Sequence, residues 1–344
     1  METHLALIES IAKLYQLTPS QLVPAMGGHF SWVYEFTQGN QACILRITPP
    51  NSDVDLPAMR SILEWLAFLS SHGGPVPVPV RSQYHNLIEV VHLQEKSYIA
   101  VAFEKAPGIL AEGMSPEEWS DELFQALGQT IGKCHQIAQK YSPSIEYHRP
   151  EWFKGDSCFN PRTSLINADA IILEKRSKTL SVIQKLPKDQ ENYGLAHLDL
   201  NFGNFFIDTS TLKITLFDFD DCAYGWYIMD IAMLLFDVLV LYRGKDSQQF
   251  GEKFLVNILN GYYTHMPKNV AWIRHLPSFL KLLEIGVYLM LYQDYDPLTS
   301  DEWVSKFMPG RKYRIENEIP YSDLDFDAIY KKTINHINPR TGKV

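Results

Sequence analysis

Two aspartates and an asparagine, Asp199, Asn204 and Asp218, stand at an ordered spacing in the most informative stretch of this sequence. Two short β-rich runs, Phe205–Ile207 and Ile214–Phe217, lie between the last two and flank a turn made of Asp, Thr and Ser residues. Apolar runs around such a turn predict a β-hairpin, which returns the chain to its starting end. We therefore expect Asn204 and Asp218 to lie side by side, with Asp199 one loop away.

The chemistry of these three side chains is that of a hard, oxygen-rich site. Two carboxylates and an amide oxygen at one point suit Mg²⁺, which is usually held by few protein ligands together with substrate phosphates. An ordinary loop that contains Asp and Asn is the alternative interpretation. The apolar hairpin, with a second acidic cluster at its end, favours the metal site over that alternative.

The same residues resemble the catalytic loop of kinases. His197-x-Asp199 followed by Asn204 is similar to the H-x-D-x-x-x-x-N loop, and Asp218 opens an Asp-Phe-Asp triplet where protein kinases carry D-F-G. The resemblance implies that Asp199 orients an acceptor hydroxyl and accepts its proton. It also implies that Asn204 and Asp218 hold the Mg²⁺ ions that bridge the phosphates of ATP.

The variant of these motifs is closer to one kinase-like group than to protein kinases. His-Leu-Asp-Leu-Asn-Phe-Gly-Asn at 197–204 and Phe-Asp-Phe-Asp-Asp at 217–221 resemble the aminoglycoside phosphotransferase and choline kinase superfamily. Within that superfamily, the sequence resembles the bacterial subgroup of phosphotransferases related to homoserine kinase and to the stress-response kinase. The resemblance covers the chain from about residue 24 to the C-terminal helices and is specific in residues 195–236.

A helix start with the family's W-x-x-x-D-I-A pattern follows, from Trp226 to Ala232. Asp230 in this pattern is a good N-cap residue for the apolar helix that begins there. The resemblance implies that the same aspartate braces the catalytic loop.

Composition is that of a soluble globular protein, with 344 residues, 21% charged and 46% hydrophobic. The net charge of -9 argues against a nucleic-acid partner held by bulk electrostatics. Four cysteines without metal spacing predict reduced thiols in a cytoplasmic protein. The N-terminus lacks the basic region of a signal peptide, and the most apolar run, Ile231–Tyr242, is too short to span a bilayer. We therefore expect no membrane association, while the oligomeric state stays open.

The first hundred residues are predicted to bind the nucleotide. A hairpin is expected from Val33–Phe36 and Ala42–Ile47 around a Gly-Asn turn. A loop with two adjacent glycines, at residues 26–31, precedes it. The resemblance implies that this loop covers the phosphates of ATP and that Ser31 contacts phosphate.

Three further features complete the predicted nucleotide site. Arg46 occupies the place of the lysine in the V-A-I-K motif and keeps its positive charge, and Glu64 on the following helix is its candidate ion-pair partner. An outward-facing arginine on a strand is the alternative interpretation. Glu104 and Ala106 lie in the segment that resembles an interlobe hinge. The backbone carbonyl of Glu104 and the backbone N–H of Ala106 are expected to bind adenine. Pro107 in the same segment has no N–H and cannot donate a hydrogen bond.

A face of the helix predicted near residues 280–294 is the candidate acceptor site. Glu284, Tyr288 and Tyr292 repeat every four residues and share that face. An acid with two tyrosines suits a polar or cationic acceptor. A core stripe with one buried or rim acid is the equally supported alternative, and in that case the pocket is expected around Trp226 and Trp303.

The sequence as a whole predicts an α+β, two-lobed, protein-kinase-like fold. An antiparallel-sheet lobe is expected over residues 1–103 and a mainly helical lobe over 104–344. The predicted reaction moves the γ-phosphate of ATP to a hydroxyl of a small molecule of amino alcohol, amino acid or aminoglycoside type, with Mg²⁺. Two alternatives stay open, a bacterial protein Ser/Thr kinase of the stress-response type and a non-catalytic nucleotide-binding pseudokinase. Fold alone does not identify the acceptor.

Overall fold

The computed structural model describes residues 2–25, 31–49, 56–115, 118–144, 148–155, 157–165, 168–242, 247–266 and 269–337. The chain divides into two compact units. The first consists of Met1–Gly108, Tyr141–His148 and Thr215–Phe217, and the second of Ile109–Lys140, Arg149–Ile214 and Asp218–Val344. A single boundary along the chain therefore does not describe the first unit, which takes in two short later segments.

An antiparallel sheet forms the centre of the first unit. Its helices and strands are α1 (Glu2–Leu14), β1 (Val23–Pro24), β2 (Trp32–Gln38), β3 (Gln41–Thr48), α2 (Leu56–Ser71), β4 (Pro79–Val80), β5 (Glu89–Leu93) and β6 (Lys96–Glu104). The strand order is β1-β2-β3-β6-β4, and β5 also pairs with β6. The predicted hairpin is present as β2 and β3, with Gln38 opposite Gln41. Gly39 in its turn has a φ of 61°, which a glycine adopts without steric cost.

The core of the first unit lies between this sheet and α1. Alternate residues of β3 point inward, so Cys43, Leu45 and Ile47 are buried. They belong to one apolar cluster with Leu7 and Ile11 of α1. Full burial of an aliphatic side chain of this size contributes about 1.5–3 kcal/mol, so this cluster stabilises the strand that carries Arg46.

From residue 109 onward the chain is mainly helical. Its elements are β7 (Ile109–Leu110), α3 (Asp121–Ala138), α4 (Ala170–Ile183), β8 (Tyr193–Ala196), β9 (Phe205–Asp208), β10 (Lys213–Leu216), β11 (Ala223–Trp226), α5 (Ile228–Leu241), α6 (Ser247–Tyr262), α7 (Leu276–Leu291), α8 (Glu302–Phe307), α9 (Arg311–Glu316) and α10 (Phe326–Ile337). Antiparallel strands followed by helices confirm the expected α+β class. Within the described ranges, no helix combines the length and the apolar character that a bilayer crossing requires.

Two small sheets within this helical part position the loops that carry the predicted catalytic and metal-binding residues. Strands β9 and β10 are neighbours in a sheet of order β10-β9-β7, which confirms the predicted hairpin. Strand β8 pairs with β11 so that Ala196 lies opposite Ala223. The segment that follows Ala196 and the segment that precedes Ala223 therefore start side by side.

Helix α5 is buried on nearly every side and contacts α6, α7 and α8. Its residues Asp230 and Asp237 are the charged exceptions in an otherwise apolar helix. A buried carboxylate is costly unless it is hydrogen-bonded, and both aspartates accept hydrogen bonds from neighbouring segments.

Candidate active site

Asp199 and Asn204 are joined directly. The Asn204 side-chain amide donates to the backbone oxygen of Asp199 at 2.7 Å and to its carboxylate Oδ2 at 2.8 Å. Asn201 donates to the same backbone oxygen at 3.1 Å. These bonds fix the Asp199 carboxylate from its own loop.

The loop that carries Asp199 is held from behind by Asp230. The backbone N–H of His197 donates to Asp230 Oδ2 at 3.0 Å, and that of Leu198 donates to Oδ1 at 2.8 Å. Leu198 has a φ of 61°, a left-handed conformation that costs free energy in a residue with a side chain. The two bonds to Asp230 offset that cost and confirm the brace that the family resemblance implied.

The expected N-cap role of Asp230 is wrong. Tyr227 is the N-cap residue of α5, and Asp230 lies in the first turn of the helix. Its carboxylate turns away from the amides of its own helix because the loop amides and His135 offer it donors instead. His135 is itself buried.

The segment after the hairpin is held by a buried arginine. Arg149 donates from Nε to the backbone oxygen of Cys222 at 2.7 Å and from a terminal nitrogen to that of Asp220 at 2.6 Å. Asp218 at the start of this segment has a φ of 60°, a second left-handed residue in the site. Arg149 therefore fixes the path of the chain just beyond the predicted metal-binding aspartate.

Several carboxylates lie close together in this segment, and their charges change one another's pKa values. Burial raises the pKa of Asp199 to about 6, with the charges of Asp221 and Asp218 adding to the rise, while His197 and Asn204 oppose it. Burial and the charge of Asp218 likewise raise the pKa of Asp221. A divalent cation would relieve this repulsion.

The donor set of the site fits a metal ion shared with a substrate. In the described parts of the chain, no group of three or more His, Cys, Asp or Glu side chains is arranged to hold a metal by itself. An ion at Asn204 and Asp218 would therefore need further oxygens from a phosphate-bearing ligand or from water, as Mg²⁺ sites at nucleotides commonly do.

A cavity of about 850 Å³ lies beside Asp199 and Asn201. Its apolar and aromatic walls include Trp119, Phe202, Phe236, Leu283, Val287 and Trp303. Its charged lining residues, apart from Asp199, are Glu112, Asp237, Asp301, Glu302 and Lys306. Concave sites of about 300–1,000 Å³ with apolar walls and a few polar groups are typical of small-molecule binding.

The charge in this cavity is predominantly negative. Lys306 forms an ion pair with Glu302 at 2.8 Å, so its positive charge does not neutralise the acids near Asp199. Asp237 accepts a hydrogen bond from Trp303 Nε1 at 2.6 Å. Burial, together with the charge of Glu112, holds the pKa of Asp237 above its ordinary value, although the bond from Trp303 opposes that rise.

The predicted acceptor face of α7 does not point into this cavity. Glu284 is fully buried, with 0% exposure, and pairs with Arg311 at 2.7 Å and with Lys281 at 2.6 Å. Tyr288 is also buried and stacks on Tyr292 with ring centroids 5.5 Å apart. For Glu284 and Tyr288 the expectation that this face lies at the cleft is therefore wrong, because both are core residues, whereas Tyr292 is only partly buried.

The part of α7 that reaches the cavity lies one residue earlier along the chain. Leu283 and Val287 line the cavity, and they share a face that is turned by about 100° from that of Glu284. Of the two tryptophans expected to mark the pocket in that case, Trp303 lines it. Trp226 is instead a core residue whose Nε1 donates to the backbone oxygen of Pro187.

Five predicted nucleotide-binding residues lie in the first unit or at its end. The hydroxyls of Ser31 and Thr48 are 3.2 Å apart. The glycine-containing loop at residues 26–30 lies outside the described residues. Glu104 ends β6 opposite Cys43, and Ala106 follows without regular structure. Their nucleotide contacts stay predictions.

The expected Arg46–Glu64 ion pair is not formed in the described part of the chain. A terminal nitrogen of Arg46 donates to Met59 Sδ at 3.6 Å. The two carboxylate oxygens of Glu64 accept from the backbone N–H and the hydroxyl of Ser144, at 3.0 and 2.8 Å. The sequence missed this pairing because Ser144 is 80 residues away along the chain.

Comparison with known proteins gives the family. A model of the phosphotransferase enzyme family matches residues 23–269. The chain belongs to that family. An amicoumacin kinase of Bacillus subtilis (strain 168) is 32% identical to this phosphotransferase over 306 residues, which cover 87% of this chain and 88% of the relative.

Solved structures agree with this membership. A structure of an amicoumacin kinase in complex with AMP-PNP, Ca²⁺ and Ami has a TM-score of 0.83 at 28% identity and covers 94% of this chain and 96% of that chain. A microcompartment-associated aminopropanol kinase has a TM-score of 0.67 at 22% identity and covers 90% and 95% of the two chains. The phosphotransferase therefore has the expected kinase-like fold and is a kinase that uses an alcohol group as acceptor.

Sequence reasoning missed several residues of the phosphotransferase site. Asn201 lies within the loop motif at residues 197–204, but its bond to Asp199 follows only from the loop conformation. Asp237 carried a usable signal, since a charge inside an apolar helix usually has a partner or a function. Arg149 and Glu112 gave none, because each reaches the site from a segment distant in sequence.

Proposed function

We propose that this protein transfers the γ-phosphate of ATP to a hydroxyl of a small amine-bearing molecule, with Mg²⁺. The observation that carries the proposal is the position of Asp199. This aspartate is held by Asn204 and stands at the wall of an 850 Å³ cavity large enough for a small molecule. Two alternatives from the sequence are less well supported. A concave cavity suits a small molecule better than a protein substrate, which argues against a protein Ser/Thr kinase. The presence of the three catalytic side chains argues against a pseudokinase.

The role proposed for Asp199 is that of the base. An acceptor hydroxyl in the cavity would donate its hydrogen bond to the Asp199 carboxylate, which orients the oxygen and takes the proton as transfer proceeds. Asn204 and Asn201 keep the carboxylate in place. Asn204 and Asp218 would hold Mg²⁺, which, when bound with ATP, neutralises charge on the phosphate oxygens.

The remaining nucleotide contacts are assigned to the first unit. Ser31 and Arg46 would contact phosphate oxygens, and the backbone groups of Glu104 and Ala106 would bind adenine. Support comes from the family membership and from the complex of the similar amicoumacin kinase with AMP-PNP. Glu64 is better assigned to holding Ser144. The cytoplasmic location stays a prediction from the sequence.

The acceptor is proposed to be cationic because of the charge in its cavity. Glu112 and Asp237 lie among the rings of Trp119 and Trp303, and carboxylates beside aromatic faces favour an ammonium group. Two similar proteins are kinases of amicoumacin and of aminopropanol. Amicoumacin and amino alcohols are therefore the first acceptors to test.

An acceptor panel with detection of the phosphorylated product tests this function. Amicoumacin, 1-amino-2-propanol, homoserine, an aminoglycoside and a serine-containing peptide are each incubated with the protein, ATP and Mg²⁺. 2-Propanol serves as the matched acceptor without an amine. The proposal predicts product from at least one amine and none from 2-propanol. Product from the peptide alone would support the protein kinase alternative, and ATP binding with no product from any acceptor would support the pseudokinase.

A cavity-filling variant tests where the acceptor binds. Val287→Phe adds volume inside the cavity and should raise the acceptor KM by about tenfold or more with little change in the KM for ATP, because only ground-state binding space is lost. Met290→Phe on the exposed side of the same helix is the control and should leave both values unchanged. Equal acceptor KM values for the two variants would place the acceptor elsewhere.

A further inference from the structure

A second cavity, of about 290 Å³, lies in the helical part of the chain and shares no described lining residue with the cavity beside Asp199. We call it the lysine cavity because Lys175 and Lys178 of α4 and Lys281 of α7 line it. Its apolar lining consists of Val182, Leu280, Ile285, Ile315, Pro320 and Phe326. The lysine cavity therefore combines cations with an apolar wall.

Two lysines of α4 share one carboxylate at this cavity. Nζ of Lys178 lies 2.6 Å and Nζ of Lys175 lies 3.5 Å from the same oxygen, Oε1 of Glu318. Glu318 is the only acid among the described residues that line the lysine cavity. One carboxylate offsets one of the two ammonium charges, so one positive charge is left over at this wall. Lys178 is the accessible member, with 67% of its side chain exposed.

The wall formed by α7 repeats this arrangement of two cations and one acid. Nζ of Lys281 and a terminal nitrogen of Arg311 both bind the carboxylate of Glu284, at 2.6 and 2.7 Å. Arg311 and Glu284 are buried behind the wall, and Lys281 reaches the lysine cavity. The surroundings of this cavity are therefore positive, although the chain as a whole carries a net charge of -9.

The apolar part of the lysine cavity has a base and a mouth. Leu280, Ile285 and Ile315 line it with almost no solvent exposure and so form its base. Val182 also lines it but is 50% exposed, so a ligand in the cavity would remove apolar surface from water there. Apolar walls with a few placed polar groups are typical of sites for small molecules. The matching ligand has an apolar body and an anionic head.

Helix α7 separates the lysine cavity from the cavity beside Asp199. Lys281 and Ile285 line the first, whereas Leu283 and Val287 line the second. Residues two apart in a helix are turned by about 200°, so the two cavities lie on opposite faces of α7. The second cavity is lined predominantly by acids, and the lysine cavity has the opposite charge. An anion is therefore disfavoured in the one and favoured in the other.

We propose that the lysine cavity binds a small amphipathic carboxylate. The carboxylate pairs with Lys178 and Lys175 at the mouth, and the apolar body lies against Leu280 and Phe326. A single negative charge matches the one positive charge left over beside Glu318. This binding makes or breaks no covalent bond and does not depend on phosphoryl transfer, so it stands or falls separately from the proposed function.

Octanoate is the probe that tests this proposal. It is titrated into the full chain, and its binding is measured by saturation-transfer difference NMR. Octyl glucoside supplies the same alkyl chain without the charge, and acetate supplies the charge without the chain. Octanoate should bind saturably, and both controls should bind about tenfold more weakly or worse, because each lacks one of the two contributions. Equal binding of octyl glucoside and octanoate would overturn the proposal, as would octanoate binding that does not saturate.

A charge reversal tests the anionic end of the site. Lys178→Glu should weaken octanoate binding by about tenfold or more, because it replaces an attraction by a repulsion. Lys253→Glu is the matched control, since Lys253 on α6 is also exposed and paired with an acid, Asp121, but does not line the lysine cavity. The control should bind octanoate with the affinity of the wild type.

A cavity-filling variant tests the apolar end without changing any charge. Ser278→Phe places a ring in the lysine cavity from α7 and should abolish saturable octanoate binding. Met290→Phe, on the exposed side of the same helix, is the control for added volume and should change nothing. Octanoate affinity that stays at the wild-type value in both Lys178→Glu and Ser278→Phe would overturn the proposal.

Two further measurements decide which cavity the probe occupies. Val287→Phe fills the cavity beside Asp199 and should leave octanoate affinity unchanged, because the lysine cavity lies on the other face of α7. Saturating ATP with Mg²⁺ should not displace octanoate either. Weaker binding in Val287→Phe, or displacement by ATP, would place octanoate at the site described above and would overturn the proposal.

Discussion

Two buried carboxylates of this protein occupy similar surroundings and do different things. Asp230 on α5 and Glu284 on α7 both lie on strongly apolar helices, with 1% and 0% exposure. Both avoid the cost of burial by accepting several short hydrogen bonds. The difference between them lies in what donates those bonds.

Asp230 binds the backbone of a functional loop, whereas Glu284 binds the side chains of two cations. The partners of Asp230 include the N–H groups of His197 and Leu198, next to the catalytic aspartate. Lys281 on α7 itself and Arg311 on α9 are the partners of Glu284, and the pair with Arg311 joins α7 to α9. A buried acid is therefore informative about function only when its partners are known.

Replacing Asp230 should cost the most activity. Asp230→Asn leaves a single acceptor oxygen where three N–H donors converge, so at least one loop amide loses its partner. We expect kcat to fall by about 100-fold or more because Asp199 is displaced. Steady-state kinetics well below the unfolding temperature, with circular dichroism as the check on folding, measures this. A folded variant with the wild-type kcat would remove the distinction between the two acids.

Glu284→Gln should show the opposite pattern. The substitution leaves Arg311 buried beside a neutral group, and removal of one partner of a buried ion pair costs about 3–5 kcal/mol of the free energy of unfolding. Turnover per folded molecule should be unchanged because the side chain does not reach the cavity. Urea unfolding measures the first quantity, and kcat per folded molecule, determined together with the acceptor KM, measures the second.

A surface pair provides the matched control for that measurement. Glu252 forms an ion pair with Lys332 that is largely solvent-exposed. Glu252→Gln should therefore change the free energy of unfolding by less than about 1 kcal/mol. If Glu284→Gln were equally mild but raised the acceptor KM, the original sequence interpretation of this helix face would be right after all.

Asp199 offers a third case, a carboxylate whose surroundings disfavour its charge. Its pKa in the folded protein, about 6, lies above that of an ordinary aspartate. A raised carboxyl pKa means that stability is lost as the pH rises from about 4 to 6, because the native state must then give up a proton that it holds more tightly. Asp199→Asn should remove this loss and stabilise the metal-free protein by about 1–3 kcal/mol at pH 8.

The pH dependence of that gain is the check. Urea unfolding of wild type and Asp199→Asn in the presence of a chelator should show the difference at pH 8 and almost none at pH 4. A difference that stays constant between the two pH values would mean that something other than the ionisation of Asp199 is responsible.

The local parts of the site could be predicted from the sequence because their determinants are close together in the chain. The hairpin between Asn204 and Asp218 follows from two apolar runs and one turn. The brace by Asp230 followed from the family resemblance, although propensity alone suggested an N-cap. The carboxylate instead accepts hydrogen bonds from the N–H groups of His197 and Leu198, two buried residues whose backbone groups need hydrogen-bond partners.

The acceptor cavity could not be predicted in the same way. Its wall combines Leu283, Val287, Asp237 and Trp303 from three helices, and no local pattern encodes that meeting. A four-residue repeat correctly grouped Glu284 with Tyr288, but it does not say which neighbour the face meets. Arg311, which lies 27 residues further along the chain, decides that.

The most direct test of the central claim is single-turnover transfer by Asp199→Asn. The variant is loaded with ATP and Mg²⁺, mixed with the acceptor that the panel identifies, and quenched at intervals, while calorimetry measures binding of both substrates. We predict retained binding and a transfer rate lower by about 10²- to 10⁴-fold, the usual contribution of a general base. Transfer at the wild-type rate with both substrates bound would contradict the assignment of Asp199 as the base at this cavity.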